Sequence, residues 1–194
     1  MKLDRDSGLL SGVRYIPSPN HDDRPDEQAI DLIVVHGISL PPGEFGGGWI
    51  DDLFTNSLDP DAHPYFREIN GLRVSSHFLI RRNGEVIQYV PVNKRAWHAG
   101  ESCYQGRSAC NDYSIGIELE GEDHTPYEPI QYDRLLSVIN ALMATYPGIG
   151  EGDIVGHVDI APGRKTDPGI AFDWNDFRKK LGVRLASCTD VDDT

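Results

Sequence analysis

The sequence predicts a single-domain α/β (α+β) fold, and three observations lead there. Short apolar runs at residues 30–35 (IDLIVV) and Ser114–Glu120 (SIGIELE) read as strands. Two further runs, at residues 74–81 and 85–90, flank Asn83-Gly84, the dipeptide of a two-residue hairpin turn. From Pro129 onward, Leu135, Ile139, Leu142 and Tyr146, widened by Val138 and Met143, form the apolar stripe of an amphipathic helix that Pro147-Gly148 ends.

The 194 residues are enough to bury one ordinary core, and neither a repeat nor a composition shift marks a second domain. With 39% apolar and 9% aromatic residues the chain is globular rather than disordered. A net charge of −13 without any basic cluster argues against nucleic acid or an anionic membrane as the main partner. No apolar run reaches the roughly 18 residues of a membrane span. The start, MKLDRDSGLL, has acidic residues where a signal peptide needs an apolar stretch. Cys103, Cys110 and Cys188 are an odd number at no disulfide or metal-pair spacing. These facts lead to the expectation of a cytoplasmic protein with free thiols. A monomer is expected.

Taken in order, residues 1–28 are polar and rich in Pro and Asp, and predict an extended arm over the core. The strand at 30–35 leads into His36, placed where α/β folds carry functional groups, at the carboxyl end of a buried strand. The loop at 39–48 is glycine-rich but lacks the Gly-Lys-Ser/Thr ending of a phosphate loop, which excludes nucleotide binding there. Trp49–Phe54 predicts a short helix, and His63-Pro64 a turn with His63 on the surface, followed by Tyr65 and Phe66. His77 falls within the strand 74–81, in a structural or ligand-supporting place. The segment 95–100 (RAWHAG) could line a cleft with Trp97, or pack it as an ordinary core aromatic. On Ser114–Glu120, Ile115, Ile117 and Leu119 face the core; Ser114, Gly116, Glu118 and Glu120 face away. Glu118, beside the small Gly116, is a candidate general base, although a solvated strand face fits the same pattern. Asp173 predicts the cap of a last helix with Trp174, Phe177 and Leu181 on one face and Gly182 as its stop. The domain therefore spans 29–185, with a loose acidic tail at 186–194.

Residues 156–169 (GHVDIAPGRKTDPG) are the focus. Their two prolines and three glycines forbid a continuous helix or central strand, so the chain turns and its polar side chains can converge. A polar loop around a hydrogen-bonded His reads this stretch equally well taken alone. Together with His36, however, His157 and Asp167 make two imidazoles and a carboxylate, three ligands that leave a fourth position open, the pattern of a catalytic zinc site. Glu118 and Lys165 supply the proton carrier and the cation that hydrolysis at such a site requires.

The blocks VVHGISLPPGEFGG, DPDAHPYF, LRVSSHFLIRRNGE, RAWHAG, CNDYSIGIELEG and GHVDIAPGRKTDPG, in that order, closely resemble the AmpD-type 1,6-anhydro-N-acetylmuramoyl-L-alanine amidases. These are zinc amidases related to peptidoglycan recognition proteins and phage T7-type lysozyme. The resemblance runs from about Val13 to the last helix. It implies a mixed central β-sheet flanked by helices, one catalytic Zn2+, and a small muropeptide substrate met in peptidoglycan recycling. It implies that His36, His157 and Asp167 are the zinc ligands, Glu118 the catalytic carboxylate and Lys165 the stabiliser of the transition state. His77, Trp97, Arg73 and Tyr65 fall in blocks that line or support the cleft. Gly37 departs from the pattern, which often has Asn there. Two other readings share the fold: an amidase of intact murein, which needs export, and a recognition module without hydrolysis, which would lack a ligand.

Overall fold

The computed structural model describes residues 1–25 and 29–189, and from residue 183 only the helical backbone. Two short strands, β1 (Arg14–Tyr15) and β2 (His21–Asp23), lie in the N-terminal arm. Strand β3 (Leu32–Ile38) is followed by helices α1 (Trp49–Phe54) and α2 (Pro64–Glu68). The hairpin β4 (Phe78–Ile80) and β5 (Val86–Gln88) comes next, then the short β6 (Lys94–Ala96), β7 (Cys103–Tyr104) and β8 (Arg107–Ser108). The chain closes with β9 (Ser114–Glu120), α3 (Pro129–Thr145), β10 (Ile154–Gly156), α4 (His157–Ile160) and α5 (Trp174–Thr189). The main sheet has six strands in the order β1-β5-β4-β9-β3-β10. Strands β4, β9, β3 and β10 run parallel and β5 antiparallel to β4, so the sheet is mixed, as expected.

Period-two alternation divides the sheet into two faces. Ile33 and Val35 of β3, Ile115, Ile117 and Leu119 of β9, and Phe78 and Ile80 of β4 pack on α3 and α5. The helices answer with Leu135, Ile139 and Leu142, and with Phe177 and Leu181. Each such side chain withdrawn from water contributes about 1.5–3 kcal/mol. On the opposite face, α1 and α2 cover Leu79, Ile87 and Tyr89 with Ile50, Leu53, Phe54 and Phe66. A separate cluster joins Leu32 and Val34 to Ala99, Tyr113, Val155 and Ile160.

That second face is not solvated. Every residue of β9 is buried on both sides, Glu120 included at 2% exposure. A buried carboxylate must be paired. Glu120 accepts from Gly46 N (2.6 Å), Arg82 N (3.0 Å) and Arg81 Nη1 (3.3 Å), and Arg81 Nη2 reaches Asp51 Oδ1 of α1 at 2.9 Å. Glu120 is thus a tie between sheet, loop 39–48 and α1, which corrects the open-face reading.

Other expectations need correction in detail. Regular pairing in the run 74–81 is confined to Phe78–Ile80, although His77 continues it with bonds to Gly116 O and from Tyr89 N. His63 is half-buried as the cap of α2, its Nδ1 accepting from Tyr65 N. Gly182 does not stop the last helix, which continues to Thr189; a lone glycine lowers helix stability by about 1 kcal/mol and ends a helix only when its backbone turns left-handed. Residues 186–189 of the expected tail therefore continue α5, and 190–194 lie outside the described residues. The N-terminal arm extends the sheet, with β1 parallel to β5 and Ser18 N bonded to Tyr89 O.

Candidate active site

Strand pairing assembles the site. His36 and Glu118 are register partners on β3 and β9. Gly156 of β10 pairs with Val35, so His157, the next residue and the first of α4, comes level with His36. After α4 the chain turns at Pro162-Gly163 and returns Asp167, whose backbone oxygen accepts from Val158 N at 3.0 Å. Tyr127 holds the next residue, its hydroxyl donating to Pro168 O at 2.9 Å.

The three predicted ligands do converge. His36 Nδ1 and His157 Nδ1 are 2.9 Å apart, and Asp167 Oδ2 lies 3.3 Å from the first and 3.1 Å from the second. Tetrahedral ligands at about 2.0–2.1 Å from a zinc-like ion stand roughly 3.3–3.4 Å from one another, so the triangle is slightly contracted but of the right size. Donor chemistry agrees. His157 Nε2 lies 3.2 Å from Ala99 O, which can only accept, so Nε2 carries a proton and Nδ1 is the nitrogen turned inward to serve as a ligand. His36 Nε2 likewise faces an outer partner, His98 Nδ1, at 2.9 Å. Burial, then the neighbouring His157, holds the His36 imidazolium pKa down to about 4 against the pull of Asp167, so the ring is neutral and able to ligate. Lone pairs directed at one another at these distances repel unless a cation lies among them, and the residues fit a divalent metal.

Glu118 stands beside this triangle. It is 8% exposed, and its Oε2 has no hydrogen-bond partner among the described residues. Burial, followed by the Asp167 carboxylate, pushes its pKa well above the usual carboxylate range, with Lys165 opposing. A carboxylate so placed is ready to take or give a proton. Glu118, Lys165 and the three ligands all line one cavity of about 670 Å³, within the range of small-molecule sites.

The remaining predicted residues are dispersed. Tyr65 lines the cavity, and Arg73 an adjoining pocket of about 190 Å³ that shares Leu53, Ile69 and Leu72 with it. Trp97 is half-buried away from the cavity wall, its indole donating to Asp22 Oδ1 at 3.2 Å. His77 is buried behind the site, its Nδ1 accepting from Gly116 N at 3.0 Å. The sequence reading missed Arg164, which donates to Ala99 O and Glu101 O and ties the ligand loop to the segment 95–101. It missed Tyr127 too. Neither lies on a periodic pattern, so no sequence signal marked them.

Comparison with known proteins agrees with this geometry. Residues 26–170 match the N-acetylmuramoyl-L-alanine amidase family, Amidase_2, and the chain belongs to that family of metal-dependent amidases. Within it, the chain is of the AmpD type. It is 60% identical over 176 residues to the 1,6-anhydro-N-acetylmuramyl-L-alanine amidase AmpD of Enterobacter cloacae, covering 91% of this chain and 94% of that protein. The crystal structure of a Se-Met AmpD derivative superposes with a TM-score of 0.89 at 60% identity, over 92% of this chain and 98% of the other. The Escherichia coli amidase AmiD, solved in complex with anhydro-N-acetylmuramic acid-L-Ala-D-gamma-Glu-L-Lys, matches with a TM-score of 0.57 at 32% identity, over 79% of this chain and 57% of that one.

Proposed function

We propose that this enzyme is a zinc-dependent amidase that cuts the amide between the lactyl group of 1,6-anhydro-N-acetylmuramic acid and the L-alanine of the stem peptide, in cytoplasmic peptidoglycan recycling. The observation that carries the reading is Glu118 Oε2, without a hydrogen-bond partner among the described residues, beside the His36, His157 and Asp167 triangle. Zinc held by His36 Nδ1, His157 Nδ1 and Asp167 Oδ2 would supply Lewis acidity, polarising the scissile carbonyl and lowering the pKa of a water to about 7. Glu118 Oε2 accepts the proton of the attacking water and afterwards delivers it to the leaving amine of alanine. The Lys165 ammonium stabilises the negative charge that develops on the carbonyl oxygen. The cavity wall combines apolar Leu40, Leu53, Leu72 and Val74 with charged Glu122 and Arg164, which suits a sugar joined to a charged peptide.

The anhydro-sugar assignment rests on the AmpD relatives. The cytoplasmic assignment is supported by Cys103 and Cys110, both free thiols. The enzyme acts as a monomer on a small muropeptide. The test is to measure bound zinc in the purified protein together with release of stem peptide from an anhydro-muropeptide and from intact murein. One zinc per chain and strong preference for the anhydro-muropeptide are expected. Comparable kcat/KM on intact murein would overturn the recycling assignment, and binding without release would make the protein a recognition module.

A further inference from the structure

His98 and Ser114 lie outside the ligand triangle, yet they connect to it through an ordered line of hydrogen bonds. The line starts at Cys110 O, a carbonyl that can only accept. Ser114 Oγ lies 2.6 Å from it and donates its one proton there. That leaves Ser114 Oγ as the acceptor for His98 Nε2 at 3.1 Å, so the His98 proton sits on Nε2. His98 Nδ1 is then an acceptor, and His36 Nε2, 2.9 Å away, is the donor. Each proton position follows from the one before it. Ser114 is fully buried, and His98, 9% exposed, also lines the cavity.

The local architecture serves this line. A Cβ at residue 116 would lie 2.5 Å from the His98 ring, so Gly116 is what lets the imidazole lie on β9. His98 N and Ala99 N both donate to Asn111 Oδ1, at 3.1 and 2.8 Å, and fix the backbone that carries the ring. Ser114, Gly116 and Glu118 thus divide one strand face among hydroxyl, space and carboxylate.

We propose that His98 and Ser114 are positioning residues that hold His36 in its Nε2–H tautomer and so keep His36 Nδ1 bare toward the metal position. The proposal rests on the metal reading above. In the opposite arrangement His98 would donate from Nδ1 to His36 Nε2. The His36 proton would then move to Nδ1, into the space between the ligand atoms, and would have to be displaced before a metal could bind. Partners of this kind around a metal ligand are worth 10–100-fold in affinity.

Two readouts test it, neither of them turnover. Long-range proton–nitrogen spectra of the zinc-free wild-type protein report the His36 tautomer directly, and Nε2–H is expected. Competition with a chelator gives the zinc dissociation constant of wild type, Ser114→Ala, His98→Ala and His98→Asn. Ser114→Ala and His98→Ala are expected to weaken zinc binding 10–100-fold. His98→Asn, whose Oδ1 can take the place of Nδ1 as acceptor, should recover most of the loss, which a purely structural role would not predict. A predominantly Nδ1–H His36 in the wild type overturns the proposal, and so does Ser114→Ala with wild-type affinity. Should the variants fail to fold, the wild-type spectrum decides alone. A wild type with His36 in the Nε2–H form that binds no zinc upholds the tautomer assignment and overturns the zinc reading instead.

Discussion

His36 and Glu118 stand directly opposite one another on the adjacent parallel strands β3 and β9, on the same face of the sheet. Paired strands lie about 4.8 Å apart, so one backbone ladder sets the spacing between the His36 imidazole and the Glu118 carboxyl, the proposed ligand and proton carrier. Neither residue depends on a mobile loop for that spacing. This is the preorganisation that electrostatic and proton-transfer catalysis requires.

Glu118→Gln should keep fold and metal while kcat falls by the roughly 10²–10⁴-fold typical of a positioned proton carrier. Lys165→Ala should also keep its metal and lose on the order of 10²–10³-fold. Metal content and steady-state kinetics on the same preparations check both. Wild-type turnover in Glu118→Gln would remove it from the mechanism.

The same carboxyl carries a pH signature in the zinc-free protein. Its folded pKa is raised, first by burial, above the ordinary value of 4.5. Ionising it therefore opposes folding. The penalty is absent below the unfolded pKa and grows as pH rises through the folded one. Zinc-free Glu118→Gln should unfold at a higher temperature than zinc-free wild type at pH 7, and at about the same temperature near pH 4. A difference independent of pH, measured by calorimetry, would contradict the burial argument.

Alanine at His36, His157 or Asp167 should each lower zinc content sharply, because two ligands hold the ion far less well than three. Elemental analysis of the purified variants is the check, and full occupancy in Asp167→Ala would refute this ligand set.

Much of this site was legible because it lies on periodic elements. The alternation of Ser114–Glu120 separated Ile115, Ile117 and Leu119 from Glu118, and the structure keeps that separation. The convergence of His36, His157 and Asp167 was legible from their chemistry and their blocks. Burial on the second face was not legible, since alternation alone cannot tell water from a covering helix; Glu120 therefore read as solvated. The tie from His98 through Ser114 to Cys110 O depends on a loop crossing the sheet, and sequence spacing does not encode it. The length of α5 past Gly182 depends on whether one glycine turns left-handed, a choice that the residue itself leaves open.

Gly37 makes a further prediction. A Cβ there would lie 2.4 Å from the Tyr127 hydroxyl, the group bonded to Pro168 O beside Asp167. Gly37→Ala should cost about 1–3 kcal/mol through overpacking and weaken metal binding. Combined with Tyr127→Phe, which removes the obstructing oxygen, most of that cost should disappear. A double-mutant cycle by denaturant unfolding measures the coupling, and strictly additive losses would exclude the steric account.

Glu120→Ala would leave Arg81 buried beside Asp51 without its second carboxylate and would free Gly46 N and Arg82 N. Breaking a buried pair from one side costs about 3–5 kcal/mol. The expected result is a markedly lower melting temperature with zinc content retained in the folded fraction. A melting temperature within a degree of wild type would show that the tie is idle.

Strand β9 gives its odd positions to the hydrophobic core and its even positions to Ser114, Gly116, Glu118 and Glu120. A slip of one residue in its pairing would exchange the two sets, turning two carboxylates toward Leu135 and Ile139 and an isoleucine into the catalytic cavity. Such a chain would be both unstable and inert. Folding quality control and enzymatic competence are therefore a single selection here: specific activity per folded molecule should stay constant across preparations whose yields differ widely, because the misregistered chain does not survive to be counted.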